Sequence, residues 1–153
     1  MTDDVRARNQ QPVLVVMGDA GSAGSDLERI NLAIGDAESQ ADRGFFERLL
    51  APAFSMVRPD GVRFDDRAGF LDALTVSSPR RTRIDSTTVF DNRAIVVCSV
   101  AKQDRGGTVQ HRNIRIFSRS SARSAWQLVS WVTEPLVPVG AGAGDAARRK
   151  EDA

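Results

Sequence analysis

Between Arg112 and Leu136 the chain reads RNIRIFSRSSARSAWQLVSWVTEPL. Two runs rich in β-branched and aromatic residues flank a small polar turn at Ser120 to Ser124. That pattern is a strand, a tight connection and a second strand. The first run carries Ile114, Ile116 and Phe117; the second carries Leu128, Val129, Val132 and both tryptophans, Trp126 and Trp131. Strands with apolar groups on both faces belong in the middle of a sheet covered on both sides. This hairpin therefore locates the core, and the other elements are read relative to it.

Four β runs follow one another from Arg81 onward: Arg83 to Phe90, Ala94 to Lys102, Thr108 to Phe117 and Trp126 to Thr133. Their connections at Asp91-Asn92, Arg105-Gly106-Gly107 and the serine-rich turn are short, so the reading is an antiparallel meander. Helices precede the strands. Ser25-Asp26-Leu27-Glu28 fits a capping box, and Leu27, Ile30, Ile34, Ala37 and Ala41 follow at helical spacing. Phe45, Phe46, Leu49 and Leu50 make a second, short helix ended by Pro52. Phe54 and Met56 face Val62 and Phe64 across Pro59-Asp60-Gly61, a small hairpin. Asp65 or Asp66 then caps a third helix with Phe70, Leu71 and Leu74. Helices first and strands after is an α+β layout, with a curved antiparallel sheet covered by three N-terminal helices. The expected division is a flexible extension over 1–24, one folded domain over 25–136 and a disordered tail over 137–153. Within the extension, Pro12 to Met17 reads as a short edge strand or an arm on a partner subunit, and Gly18 to Gly24 as a linker.

Composition narrows the functional classes. With 153 residues, 41% hydrophobic and 27% charged, the chain suits one soluble globular domain. A formal net charge of +1 provides no strong field for nucleic acid or an anionic membrane. The basic cluster Arg80, Arg81 and Arg83 has no adjacent aromatic platform of the kind that single-stranded nucleic acid requires. The single cysteine, Cys98, excludes an internal disulfide and by itself no zinc site follows; its apolar neighbours mark it as a small buried hydrophobe. The single histidine argues against a histidine-rich metal site, so no metal or cofactor is expected. The apolar run Val13 to Met17 is too short to span a membrane, and a cytoplasmic protein is the default expectation.

Several stretches together resemble the SnoaL-like and nuclear-transport-factor-like superfamily. They are Gly44 to Phe54, Pro59-Asp60-Gly61 followed by Asp66 to Leu74, Ile114-Arg115-Ile116-Phe117, and Trp126-Gln127-Leu128-Val129. The likeness runs from about Ser25 to Leu136, and its nearest subgroup is the set of bacterial domains related to the association domain of calcium/calmodulin-dependent kinase II. It implies a cone-shaped α+β fold, cystatin-like in outline, with an internal cavity. It also implies a homodimer through the outer sheet face. Members range from isomerases, cyclases and dehydratases to binding and assembly modules, so the likeness implies no single activity. Arg115 stands where the kinase domain has a cavity arginine that meets acidic ligands. The chain departs from that relative at Ile114, in place of a threonine, and at Ser130, in place of a histidine, so the relative's ligand is not carried over. The chain has no tyrosine, which disfavours the isomerase chemistry that the superfamily runs on a tyrosine hydroxyl.

The expected site follows. A small acidic organic molecule is oriented by Arg115, whose guanidinium can hold a carboxylate through two parallel hydrogen bonds, with Asn113 and Trp126 assisting. Phe54, Met56 and Phe70 line the hollow. The alternative is a cyclase- or isomerase-like enzyme with Asp85 or His111 as general base. A third reading is a dimerisation or assembly module without ligand. Strand parity sets Trp131 opposite Trp126, which makes Trp131 the candidate for the outer face and the dimer interface.

Overall fold

The computed structural model of the chain describes residues 20–136. The expected Pro12 to Met17 strand and the 137–153 tail lie outside those residues. Three helices, α1 (Ala20–Gln40), α2 (Arg43–Leu49) and α3 (Arg67–Asp72), accompany six strands. The strands are β1 (Leu50–Val57), β2 (Phe64–Asp66), β3 (Arg80–Phe90), β4 (Arg93–Asp104), β5 (Gly107–Ser118) and β6 (Gln127–Pro135). They form one curved, open sheet in the order β2-β1-β6-β5-β4-β3. The β5–β6 hairpin lies at its centre, as expected, but among the described residues it is covered on one face and not, as expected, on both.

Local chemistry explains most boundaries. Ala41 takes a left-handed conformation (φ 52°) that stops α1. Asp42 then caps α2 by accepting a hydrogen bond from the Phe45 amide at 3.0 Å. Asp66, rather than Asp65, caps α3, accepting from the Gly69 amide at 2.8 Å. Asp91 supplies the positive φ of 54° that the tight β3–β4 turn needs.

Three expectations are corrected. First, α1 starts at Ala20, so Ala20 to Gly24 is helix rather than linker and Ser25 is not its cap. The Ser25 hydroxyl lies inside the helix and donates back to the Gly21 carbonyl at 3.0 Å. Second, the sheet is not wholly antiparallel. The meander β3 to β6 is, and so is the β1–β2 hairpin, but β1 runs parallel to β6. Third, Trp131 faces inward. Ile116 pairs with Ser130 while Phe117 pairs with Leu128, leaving Val129 as an extra residue in β6. This bulge inverts the parity of everything beyond it. Leu128, Trp131 and Thr133 all lie on the helix-covered face and are all buried.

The helices cover one face only. α1 lies across β3 and β4, and α2 and α3 close the other end. Beneath them an aromatic run leads from Phe46 to Phe70 (ring centroids 4.9 Å) and from Phe70 to Phe54 (5.6 Å) and Trp131 (5.8 Å). Edge-on and tilted contacts at these separations suit the ring quadrupoles. Among the described residues no layer covers the outer face. Ile95 is 46% and Ile116 39% exposed there, beside the half-buried Val97, Ile114 and Val132. No helix among the described residues is long and apolar enough to cross a membrane.

Candidate functional site

The inner faces of β5, β6 and β1 meet α1 around a recess of about 200 Å³. Met56, Trp131 and Thr133 form its apolar and hydroxyl floor; His111, Asn113 and Val100 form one wall. The remaining wall is charged: Arg58, Arg63, Arg80 and Lys102 against a single carboxylate, Glu38. A second recess of about 200 Å³ shares Glu38, Arg58, Arg80 and Lys102 and adds Phe70 and Leu74.

Alternation along β5 places His111, Asn113 and Arg115 on this inner side, as the strand pattern predicts. Their surroundings differ. Asn113 is 3% exposed, and its Oδ1 accepts from Trp131 Nε1 at 2.6 Å and from the Thr133 hydroxyl at 2.8 Å. This small network holds the indole against the recess. His111 is half-buried, and burial first, then the charges of Lys102 and Arg80, hold its pKa below the ordinary histidine value. It is therefore poised as a neutral imidazole at neutral pH.

Arg115 is fully buried and is not part of the recess wall. Its guanidinium stacks on the Trp131 ring at 4.2 Å, and its Nη1 donates to Asn31 Oδ1 at 3.0 Å. Its Nε and Nη2 have no hydrogen-bond partner among the described residues. Burial lowers its pKa, yet an arginine keeps its charge in a protein. Arg115, expected on the cavity wall, is instead set behind the Trp131 ring, and it is that ring which lines the recess.

Other expectations separate in the same way. Met56 lines the recess. Phe70 lines the second recess, and Phe54 is buried core. Trp126 precedes β6 at the end of the sheet away from the recess, is 5% exposed, and is stacked under the Arg119 guanidinium at 4.3 Å. It assists no ligand there. Asp85 is the clearest correction. It is the extra residue of a β3 bulge, between the Ile84–Cys98 and Ser86–Val97 pairs. It lies exposed on the outer face, accepting from Arg83 Nε at 2.9 Å and from the Ser99 hydroxyl at 2.6 Å. The Ser99 hydroxyl above all holds its pKa below the ordinary value; burial opposes it, and Arg83 adds to the lowering. A carboxylate so placed is no base for chemistry in the recess. Cys98 is buried on the inner face, and burial pushes its thiol pKa up.

Several residues of the site were not singled out in the sequence, among them Arg58, Arg63 and Lys102 of the recess lining and, on α1, Asn31 and Glu38. Asn31 is fully buried on α1 and donates from Nδ2 to the Leu27 carbonyl at 2.7 Å while accepting from Arg115. Glu38 Oε2 lies 3.3 Å from Arg80 Nε, with only 13% and 14% of the two side chains exposed. Burial pushes the Glu38 carboxyl pKa up, against the opposing pull of Arg80, Arg115, Arg58 and Lys102. A signal existed: Leu27, Asn31, Ile34 and Glu38 recur at spacings of four, three and four, so two polar residues lie within the buried stripe. No group of three or more metal-ligating side chains occurs among the described residues.

Neither a known family profile nor any curated protein sequence matches the chain. Solved structures do. An NTF-2-like protein of unknown function from Silicibacter pomeroyi superposes with a TM-score of 0.64 at 19% identity, covering 76% of this chain and 98% of that one. A protein described as a calcium/calmodulin-dependent kinase II association domain from Exiguobacterium sibiricum gives 0.62 at 18% identity, covering 76% and 95%. The kinase II hub from S. rosetta gives 0.58 at 16% identity, covering 74% and 96%. At such identities the likeness carries architecture alone, and the architecture is that of the NTF-2-like α+β cone, related in fold to the kinase association domains.

Proposed function

We propose that this chain is a small binding domain whose inner recess takes a short acidic organic molecule, and that it self-associates through its outer sheet face. The observation that carries the first part is the charge of the lining, four permanent cations to one carboxylate in a partly enclosed hollow. Arg58 is tied to Asp65, Arg63 to Asp60 and Arg80 to Glu38, while Lys102 has no carboxylate within ion-pair distance among the described residues. Low-dielectric walls strengthen that field, and the buried Arg115 behind Trp131 adds to it. A guanidinium with two nitrogens unpaired among the described residues also weakens the fold where it stands, which favours a functional reason for its presence. A recess of about 200 Å³ is small beside common ligand pockets and suits an acid of a few carbons rather than a polycyclic substrate.

The self-association rests on a separate observation. The outer face presents Ile95 and Ile116, with Val97, Ile114 and Val132 between and beside them, uncovered by any other described residue. Of the two bases that the enzymatic reading names, only His111 lines the recess, since Asp85 is on the other side of the sheet. Thermal unfolding with acetate, butyrate and hexanoate, against the matching neutral amides, tests the ligand class. A ligand at 100 times its Kd adds about 2.7 kcal/mol to the stability of the folded state. Carboxylates should stabilise the wild type and should stabilise Lys102→Met less, since Arg80 remains, and amides should stabilise neither. Equal effects of acid and amide would remove the charge argument.

A further inference from the structure

The charged groups of both recesses converge on Glu38, the one acid among them. From β3 Arg80 faces it, from β4 Lys102 and the Cys98 thiol, from β5 Arg115, and from the end of β1 Arg58. His111 of β5 lines the same recess. The α3 side of the second recess contributes Phe70 and Leu74, without charge. Arg80 has further anchors, since its Nη1 donates to the Ser77 hydroxyl at 2.7 Å and the Ser39 hydroxyl at 3.5 Å. It therefore stays in place if Glu38 lets go.

We propose that Glu38 is an internal stand-in for the ligand's carboxylate: an acidic ligand enters by taking Arg80 from Glu38, and Glu38 takes up one proton from solvent as it does so. This rests on the acidic-ligand reading above and adds the competitor inside the recess and the proton stoichiometry. The physical reason is that the ligand brings a second carboxylate against the guanidinium that Glu38 already uses, and in a poorly solvated hollow the nearby Lys102 and Arg58 offset only part of that repulsion. The burial that already opposes charge on Glu38 makes it the group that yields. No covalent bond changes. The protonated Glu38 becomes a hydrogen-bond donor and can face the incoming carboxylate as a partner instead of a repelling charge. Selection follows for short acids over their amides, because an amide does not displace Glu38 from Arg80.

Calorimetric titration of butyrate into the whole chain tests this, in buffers of differing ionisation heat, at pH values stepped from mildly acidic to mildly alkaline. The expected result is uptake of close to one proton per butyrate above the pKa of Glu38. Affinity there should weaken by up to about tenfold per pH unit as pH rises. Glu38→Gln, which retains an oxygen to accept from Arg80, should bind butyrate at least about tenfold more tightly at alkaline pH, with little proton uptake and a flat pH profile. His111→Asn should keep the wild-type slope. A slope that survives in Glu38→Gln, or disappears in His111→Asn, would overturn the assignment of the proton to Glu38. Binding without pH dependence would overturn it while leaving the acidic-ligand reading intact. If neither butyrate nor hexanoate binds wild type or Glu38→Gln at any pH, the acidic-ligand reading falls and this inference falls with it.

Discussion

Asn31→Ala should destabilise the chain by about 2 kcal/mol, and Arg115→Met should abolish most of that cost. Asn31 Oδ1 is the only hydrogen-bond acceptor found for the Arg115 guanidinium among the described residues, and both side chains are fully buried. A hydrogen bond to a charged group contributes about 1.5–3 kcal/mol, and its loss here exposes the guanidinium to apolar surroundings with only the Trp131 ring as partner. The better helix propensity of alanine returns up to about 0.7 kcal/mol. Arg115→Met removes the charge itself. It forfeits a cation–π contact of about 2 kcal/mol and leaves Asn31 Oδ1 unpaired, but relieves a desolvation penalty of several kcal/mol, so it should be neutral or slightly stabilising. Urea unfolding followed by tryptophan fluorescence measures all three variants, with an unchanged m-value as the check that the unfolded reference is the same. For a chain of this length 2 kcal/mol corresponds to a Tm drop of about 4–8 °C. The coupling in the double-mutant cycle should exceed about 1 kcal/mol. An Asn31→Ala cost that is the same in the Arg115→Met background as in wild type would refute the reasoning.

Three further outcomes are expected. The pKa of Glu38 is raised on folding, so its ionisation works against the fold above the unfolded-state value of about 4.3. Glu38→Gln should therefore raise Tm at alkaline pH, and the difference should shrink to nothing as the pH falls below that value; a constant difference across pH would contradict it. Ile116→Arg on the outer face should weaken self-association at least tenfold, about 1.4 kcal/mol, in sedimentation equilibrium without lowering Tm. A wild type that is monomeric at high concentration would dispose of the self-association reading. Cys98 should react with a thiol reagent only at the rate of unfolding, with one equivalent appearing in denaturant, because the thiol is buried and held protonated. Rapid labelling of the native chain would contradict that burial.

Much of the fold was legible because its signals are local. Helical spacing from Leu27 onward, an aspartate cap for α3 at Asp65 or Asp66 and the two-faced apolar strands each follow from a few neighbouring residues. The site was less legible. His111, Asn113 and Arg115 were readable as one strand face, and Met56 as lining, because alternation holds through β5 and the end of β1. Asn31 and Glu38 were hidden, since a polar residue within an apolar stripe acquires meaning only from what lies opposite.

The sequence by itself determined the order of helices and strands, the central place of the β5–β6 hairpin and the near balance of charge, because spacing and turn chemistry act within one segment. Only the tertiary structure decided that β1 lies parallel to β6, that Asp85 turns outward and Trp131 inward, and that Glu38 meets Arg80. A bulge is a property of two paired strands: one extra residue at Val129 or Asp85 inverts which face the chain beyond it presents, and no pattern inside a single strand records it.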